Sequence, residues 1–142
     1  MGSREGRLDR LGATRARFED MVKRHDLGGW IEVHEGEAAD AAAAVQGPVD
    51  LLLVDGLHDY AAVAADFHAF SDRLGPGARV AFHDYADYFP GVCAFVDALV
   101  AAGRWRVETA AGTLRVLAPV AAERLTVQPS GASAAEGAQA AA

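Results

Sequence analysis

The segment VDLLLVDGLHDY, residues 49–60, decides the fold of this chain and carries its most informative polar residues. Its first six residues are almost continuously apolar, which is typical of a strand buried on both faces of a parallel sheet. Residues 80–85, VAFHDY, repeat the arrangement of an apolar strand that ends in polar side chains. Between them, residues 59–74 place apolar side chains at helical spacing. The pattern predicts two parallel strands joined by a helix.

The rest of the chain continues the alternation of helices and strands. Helices are predicted over residues 13–26, 37–46 and 91–102, a short strand over 30–34, and a hairpin over 105–118. The order predicts an α/β fold with three αβα layers, in which the sheet is mostly parallel and ends in an antiparallel hairpin. Residues 1–12 are predicted to be a flexible leader and residues 128–142, rich in Ala, Gly and Ser, a disordered tail.

Length and composition narrow the class of protein. The 142 residues suit one domain, which we assign to residues 13–120. The formal net charge of −7 disfavours nucleic-acid binding, and the single cysteine, Cys93, excludes an internal disulfide and a multi-cysteine zinc site. No apolar run is long enough to span a bilayer, and charges near the N-terminus interrupt any signal sequence. We therefore expect a soluble, acidic, cytoplasmic protein of one domain.

Polar residues gather where the predicted strands end. Ligands of open α/β sheets bind outside the carboxyl ends of the strands, and neighbouring strands lie about 5 Å apart. Asp55 and His58 follow one strand, and His83 and Asp84 follow the next. Two carboxylates and an imidazole suit a divalent cation such as Mg²⁺, and the other imidazole suits a general base. Each of these residues taken singly also suits a helix cap or a turn.

Together with residues 66–67 (DF), 74–77 (LGPG) and 89–92 (FPGV), these segments resemble class I S-adenosylmethionine-dependent methyltransferases. The closer similarity is to methyltransferase domains with a DGDHSY segment, to which metal-dependent sugar O-methyltransferases of macrolide biosynthesis are related. The resemblance covers about residues 13–120. It implies a Rossmann-like sheet of strand order 3-2-1-4-5-7-6. Residues 30–34, 49–54 and 78–82 would be its third, fourth and fifth strands, and the hairpin its sixth and seventh.

The resemblance also implies roles for individual residues. Gly36 and Glu37 match the loop that contacts the adenine of S-adenosylmethionine, and Asp55 is implied to lie beside that cofactor. His58 matches the catalytic base. The implied metal ligands are Asp55, His83 and Asp84. The implied reaction is O-methyl transfer to a small molecule, with S-adenosylmethionine as the cofactor and Mg²⁺ as the candidate metal.

The sequence departs from the family pattern in ways that keep other functions open. Leu57, Asp59 and His83 replace an acidic residue, a serine and a carboxylate of the related enzymes. No apolar strand with a Gly-rich turn precedes residue 13, so we expect a sheet that is incomplete on its N-terminal side and a truncated, weakly binding or inactive enzyme. One alternative is a non-catalytic methyltransferase-like module that docks on a partner protein or a second copy through its open sheet edge. The other is a metal-dependent α/β hydrolase.

Overall fold

Four helices and four strands follow one another in residues 4–120, the part of the chain that the computed structural model describes. The helices are α1 (Arg4–Arg24), α2 (Ala38–Ala44), α3 (Tyr60–Ser71) and α4 (Pro90–Ala101). The strands are β1 (Val49–Val54), β2 (Leu74–Phe82), β3 (Trp105–Ala111) and β4 (Leu114–Pro119). The predicted tail, residues 128–142, lies outside the described residues. No helix within residues 4–120 is long and apolar enough to cross a membrane.

The strands form one mixed sheet in the order β1-β2-β4-β3. β1 and β2 run parallel, with Leu52 opposite Val80 and Val54 opposite Phe82, whereas β4 is antiparallel to both β2 and β3. This order is the 4-5-7-6 part of the sheet that the family resemblance implies. The predicted parallel pair and the predicted terminal hairpin are therefore both confirmed.

The core lies between one face of this sheet and the helices α3 and α4. Alternate residues of the strands point to the same face, and this face contributes Phe82 and Leu117, both with no exposed surface. Phe67 of α3 and Phe95 of α4 pack on Phe82, with ring centroids 6.1 and 5.9 Å from its ring. The helical spacing predicted within residues 59–74 is therefore explained by burial against the sheet. A second helical layer stays a prediction.

Two elements begin well before the residues that the sequence predicts, and one predicted strand does not form. α1 begins at Arg4 rather than at residue 13, so residues 4–12 are helical. β2 begins at Leu74 rather than at residue 78, so the LGPG segment belongs to the strand. The predicted strand at residues 30–34 is wrong, because these residues form a turn and an irregular segment. An alternating pattern needs a neighbouring strand to bond with, and no described strand pairs with this segment.

Leu117→Ala is expected to lower the free energy of unfolding by about 2–5 kcal/mol, because it leaves a cavity in the core. The measurement is urea denaturation followed by circular dichroism. Leu53→Ala is the matched control, since Leu53 lies on β1 with 57% of its surface exposed, and it should cost under about 1 kcal/mol. Equal losses in the two variants would contradict the assignment of the core.

Candidate functional site

The parallel pairing of β1 and β2 brings two polar loops to one edge of the sheet. The His83 backbone N–H donates to the Val54 carbonyl oxygen at 3.1 Å, just past the last paired residues, Val54 and Phe82. The loop that begins at Asp55 and the loop that begins at His83 therefore leave the sheet side by side. The structure therefore confirms the prediction that these two strands end next to each other.

The Asp84 carboxylate lies at the centre of this edge. Its Oδ2 is 2.8 Å from His58 Nε2, and its Oδ1 is 3.1 Å from His83 Nδ1. His83 Nδ1 is in turn 3.5 Å from Asp55 Oδ1. The structure thus gathers four of the residues singled out in the sequence, and Asp84 contacts both imidazoles.

Asp84 is held in an unusual backbone conformation and stays ionised. Its φ of 60° lies in the left-handed region, which Asp tolerates better than most residues. Burial alone would raise the pKa of the Asp84 carboxyl, but hydrogen bonds and charges of His83 and His58 outweigh burial and hold that pKa below its ordinary value. An ionised carboxylate only accepts hydrogen bonds. Asp84 therefore requires the facing His58 Nε2 to carry a proton.

Phe89 fixes the plane of the His58 ring. The two rings are stacked, with centroids 3.9 Å apart and an angle of 24° between their planes. About a third of the His58 side chain, 35%, remains exposed. One face of the imidazole is therefore covered while part of the ring stays open to a ligand. The sequence reasoning assigned no role to Phe89, whose only signal was its place in the FPGV segment.

Gly91 allows α4 to approach the His58 loop. A Cβ at this position would lie 2.5 Å from the His58 carbonyl oxygen and 2.5 Å from the Tyr60 backbone nitrogen. Real side chains do not fit such distances, so only glycine permits this contact. Pro90 starts the helix one residue earlier, a position that suits its missing N–H. The close approach carries Phe89 onto the His58 ring.

Tyr85 ties the loop after β2 to the rest of the domain. Its hydroxyl donates to Asp97 Oδ1 at 2.9 Å, its backbone N–H donates to the Thr113 carbonyl oxygen at 2.9 Å, and the Arg115 guanidinium lies 4.3 Å above its ring. The hydrogen bond to Asp97, and then burial, raise the pKa of the Tyr85 phenol. Tyr85 is thus an anchor of the loop that presents Asp84.

The residues expected to contact the adenine lie at the start of α2. Gly36 has a positive φ of 125°, and Glu37 is the N-cap of α2 without a side-chain capping bond. Burial, followed by the charge of Glu37, raises the pKa of Asp66. Asp66 Oδ2 in turn lies 2.8 Å from where a Cβ of Gly56 would be. The Asp66 carboxylate therefore lies against the turn that follows Asp55, in a position where the Glu37 charge acts on it.

The cluster has the ligand types that a divalent cation requires. One ligand atom from each of Asp55, His58 and Asp84 lies within 4.8 Å of the other two. His83, which the resemblance implies as a ligand in place of His58, contacts both carboxylates. Two carboxylates suit Mg²⁺ or Mn²⁺, while an added imidazole is a ligand more typical of Zn²⁺. The residues present therefore fit a divalent cation.

The strand order and the polar cluster are both features of one class of proteins. A sheet of order 4-5-7-6 with an acid and base cluster at its carboxyl edge is the arrangement implied for class I methyltransferase domains. A family model described as "Methyltransferase domain" matches residues 4–85, more than half of the chain. No curated protein matches this chain. The chain belongs to this family of methyltransferase domains.

Gly91→Ala is expected to destabilise the fold by about 1–3 kcal/mol, because the added methyl group overpacks the contact with residues 58–60. Urea denaturation measures the loss, and nitrogen-15 NMR spectra should show shifts at His58 and Tyr60. Gly28→Ala is the matched control, since nothing lies within 4 Å of a Cβ there. If Gly91→Ala matched the control in both measurements, the close approach of α4 would be refuted.

Glu37→Gln is expected to lower the pKa of Asp66, because it removes one of the two causes of the rise and leaves burial. Carbon-13 NMR titration of the Asp66 carboxyl measures this pKa, and Glu32→Gln is the control that should leave it unchanged.

A raised pKa of Asp66 disfavours its charged form in the folded state, so Asp66→Asn should increase the free energy of unfolding at neutral pH. That gain should vanish below the ordinary Asp pKa of about 4. An Asp66 pKa that stays the same in Glu37→Gln would contradict the effect of the Glu37 charge on Asp66.

Proposed function

We propose that this chain is an S-adenosylmethionine-dependent methyltransferase domain that transfers a methyl group to a hydroxyl of a small molecule. The observation that carries the proposal is the contact of 2.8 Å between His58 Nε2 and Asp84 Oδ2 at the carboxyl edge of β1 and β2. Membership of the methyltransferase domain family favours this function over metal-dependent hydrolysis.

His58 is the proposed general base. Because Asp84 is an acceptor, the neutral imidazole carries its proton on Nε2 and leaves Nδ1 free to accept one. The ionised Asp84 carboxylate then stabilises the imidazolium that forms when Nδ1 takes a proton. General base catalysis of this kind contributes about 10²–10⁴-fold to the rate. Phe89 is a positioning residue, since it fixes the plane of the ring through which His58 acts.

The proposed step is a direct displacement. S-Adenosylmethionine supplies, when bound, a methyl group on a positively charged sulfur. The electron pair of the carbon–sulfur bond would stay on that sulfur as the acceptor oxygen bonds to the methyl carbon, and His58 Nδ1 would take the hydroxyl proton. The contribution of the protein is mostly to hold the oxygen and the methyl carbon in line.

Gly36, Glu37 and Asp55 are the proposed contacts of S-adenosylmethionine. The exposed Glu37 carboxylate has no capping bond to its own helix and is available to accept hydrogen bonds from the adenosine. Gly36 adds no side chain at a positive φ of 125°, so its backbone is open to close approach. The link through Asp66 supports a single surface that runs from α2 to Asp55.

A divalent cation at Asp55 and Asp84 is a second element of the proposal. Mg²⁺ is the candidate that the family resemblance implies, with His83 as the imidazole in contact with both carboxylates. A cation held there would stabilise negative charge on the acceptor oxygen. His58 keeps its role as base only if its Nε2 stays bonded to Asp84.

S-Adenosylhomocysteine is expected to bind weakly but saturably and to shift the backbone NMR signals of Gly36, Glu37 and Gly56. Glu37→Gln should weaken binding about tenfold, because it removes a charge-assisted hydrogen bond. Glu32→Gln and His58→Gln are controls, since neither residue is placed against the adenosine. Absence of saturable shifts at these signals up to the solubility limit would contradict the proposed cofactor site.

A further inference from the structure

An exposed aromatic side chain stands next to the proposed base and has no role in the mechanism so far. Tyr88 is 69% exposed, and its ring meets Phe89 edge to face at a centroid distance of 4.9 Å. Phe89 is the ring that stacks on His58 at 3.9 Å. Tyr88 and His58 thus both contact the Phe89 ring, and the Tyr88 ring is open to solvent. Leu57 directly precedes His58 in the chain and is 63% exposed.

The spacing of these rings suits one further six-membered ring. Tyr88 and His58 are separated by no more than the sum of the two centroid distances. Aromatic rings in contact lie about 4.5–7 Å apart between centroids. A single ring in contact with Tyr88 is therefore long enough, with a hydroxyl on its edge, to reach His58.

The charges carried by the two loops at this surface have one sign. Residues 55–60 and 83–89 contain no Lys or Arg, and they carry four carboxylates: Asp55, Asp59, Asp84 and Asp87. The nearby Arg115 is occupied, since its guanidinium lies over the Tyr85 ring and donates to the Gly112 carbonyl oxygen at 2.8 Å. A surface of one sign repels ligands of the same sign. Anionic acceptors are therefore disfavoured here.

We propose that Tyr88, with Leu57, is the platform that holds the acceptor, and that the acceptor is an uncharged or cationic phenol. This inference rests on the proposed methyl transfer and names its acceptor class. Burial of the exposed Tyr88 and Leu57 surfaces favours an apolar ring over a sugar ring edged with hydroxyls. A phenol, with a pKa of about 10, also gives up its proton far more readily than an aliphatic alcohol.

Three probes that share one phenol ring and differ in charge test the proposal. They are 4-ethylphenol, the cationic tyramine and the anionic 4-hydroxyphenylacetate, each titrated without S-adenosylmethionine at neutral pH and low salt. The first two are expected to bind and to shift the NMR signals of Tyr88, Phe89 and His58. The anion should bind about tenfold more weakly, and added salt should narrow the difference.

Two variants assign the effects to residues. Tyr88→Ala should weaken 4-ethylphenol binding about fivefold, because the ring contact is lost. Trp30→Ala is the matched control, since Trp30 is an aromatic residue that is 89% exposed outside the cluster, and it should leave binding unchanged. Asp87→Asn should raise the affinity for 4-hydroxyphenylacetate towards that for 4-ethylphenol, because it removes one like charge.

Several results would overturn the platform. They are equal binding of the three probes, unchanged binding in Tyr88→Ala, or tighter binding of methyl glucopyranoside than of 4-ethylphenol at the same signals. The outcome is separable from that for the proposed function, because the probes are titrated without cofactor. Phenol binding without S-adenosylhomocysteine binding would contradict the methyl transfer and leave the platform standing. S-Adenosylhomocysteine binding without phenol binding would contradict the platform and leave the proposed methyl transfer standing.

Discussion

The hydrogen bond from the His83 N–H to the Val54 carbonyl oxygen, 3.1 Å long, is the constraint on which the site depends. It extends the parallel pairing of β1 and β2 to their carboxyl ends, so that Asp55 and Asp84 leave the sheet together. A shift of the register by one residue would exchange the two faces of β2. It would expose Phe82 and move Asp84 away from His58. The core and the site are therefore fixed by the same register.

The contact of α4 with the loop after β1 then sets the geometry of His58. Gly91 brings the start of α4 against the backbone of residues 58–60, and Phe89 covers one face of the imidazole. The other constraint on the ring is Asp84, which Tyr85 holds through its bonds to α4 and the hairpin. The His58 ring is thus oriented from two directions, by Phe89, which packs against the core, and by Asp84. This arrangement limits the motion of the ring without covering all of it.

The sequence predicted what depends on local pattern and failed where a distant partner decides. The bounds of β1 and the convergence of Asp55, His58, His83 and Asp84 follow from an apolar run and the rule for parallel strands. The alternation at residues 30–34 did not form a strand, because pairing requires a neighbour that a pattern cannot supply. α1 begins early because Arg, Glu and Leu in residues 4–12 favour helix strongly enough to include two glycines. The roles of Phe89 and Gly91 depend on an approach in space that the FPGV segment by itself does not reveal.

The central claim is that Asp84 fixes His58 as a base whose free nitrogen is Nδ1. The most direct test is nitrogen-15 NMR of the His58 ring in the neutral state, which distinguishes the two tautomers. The account predicts a single tautomer with the proton on Nε2 and a bare Nδ1. A proton on Nδ1, or rapid averaging between the two forms, would contradict it.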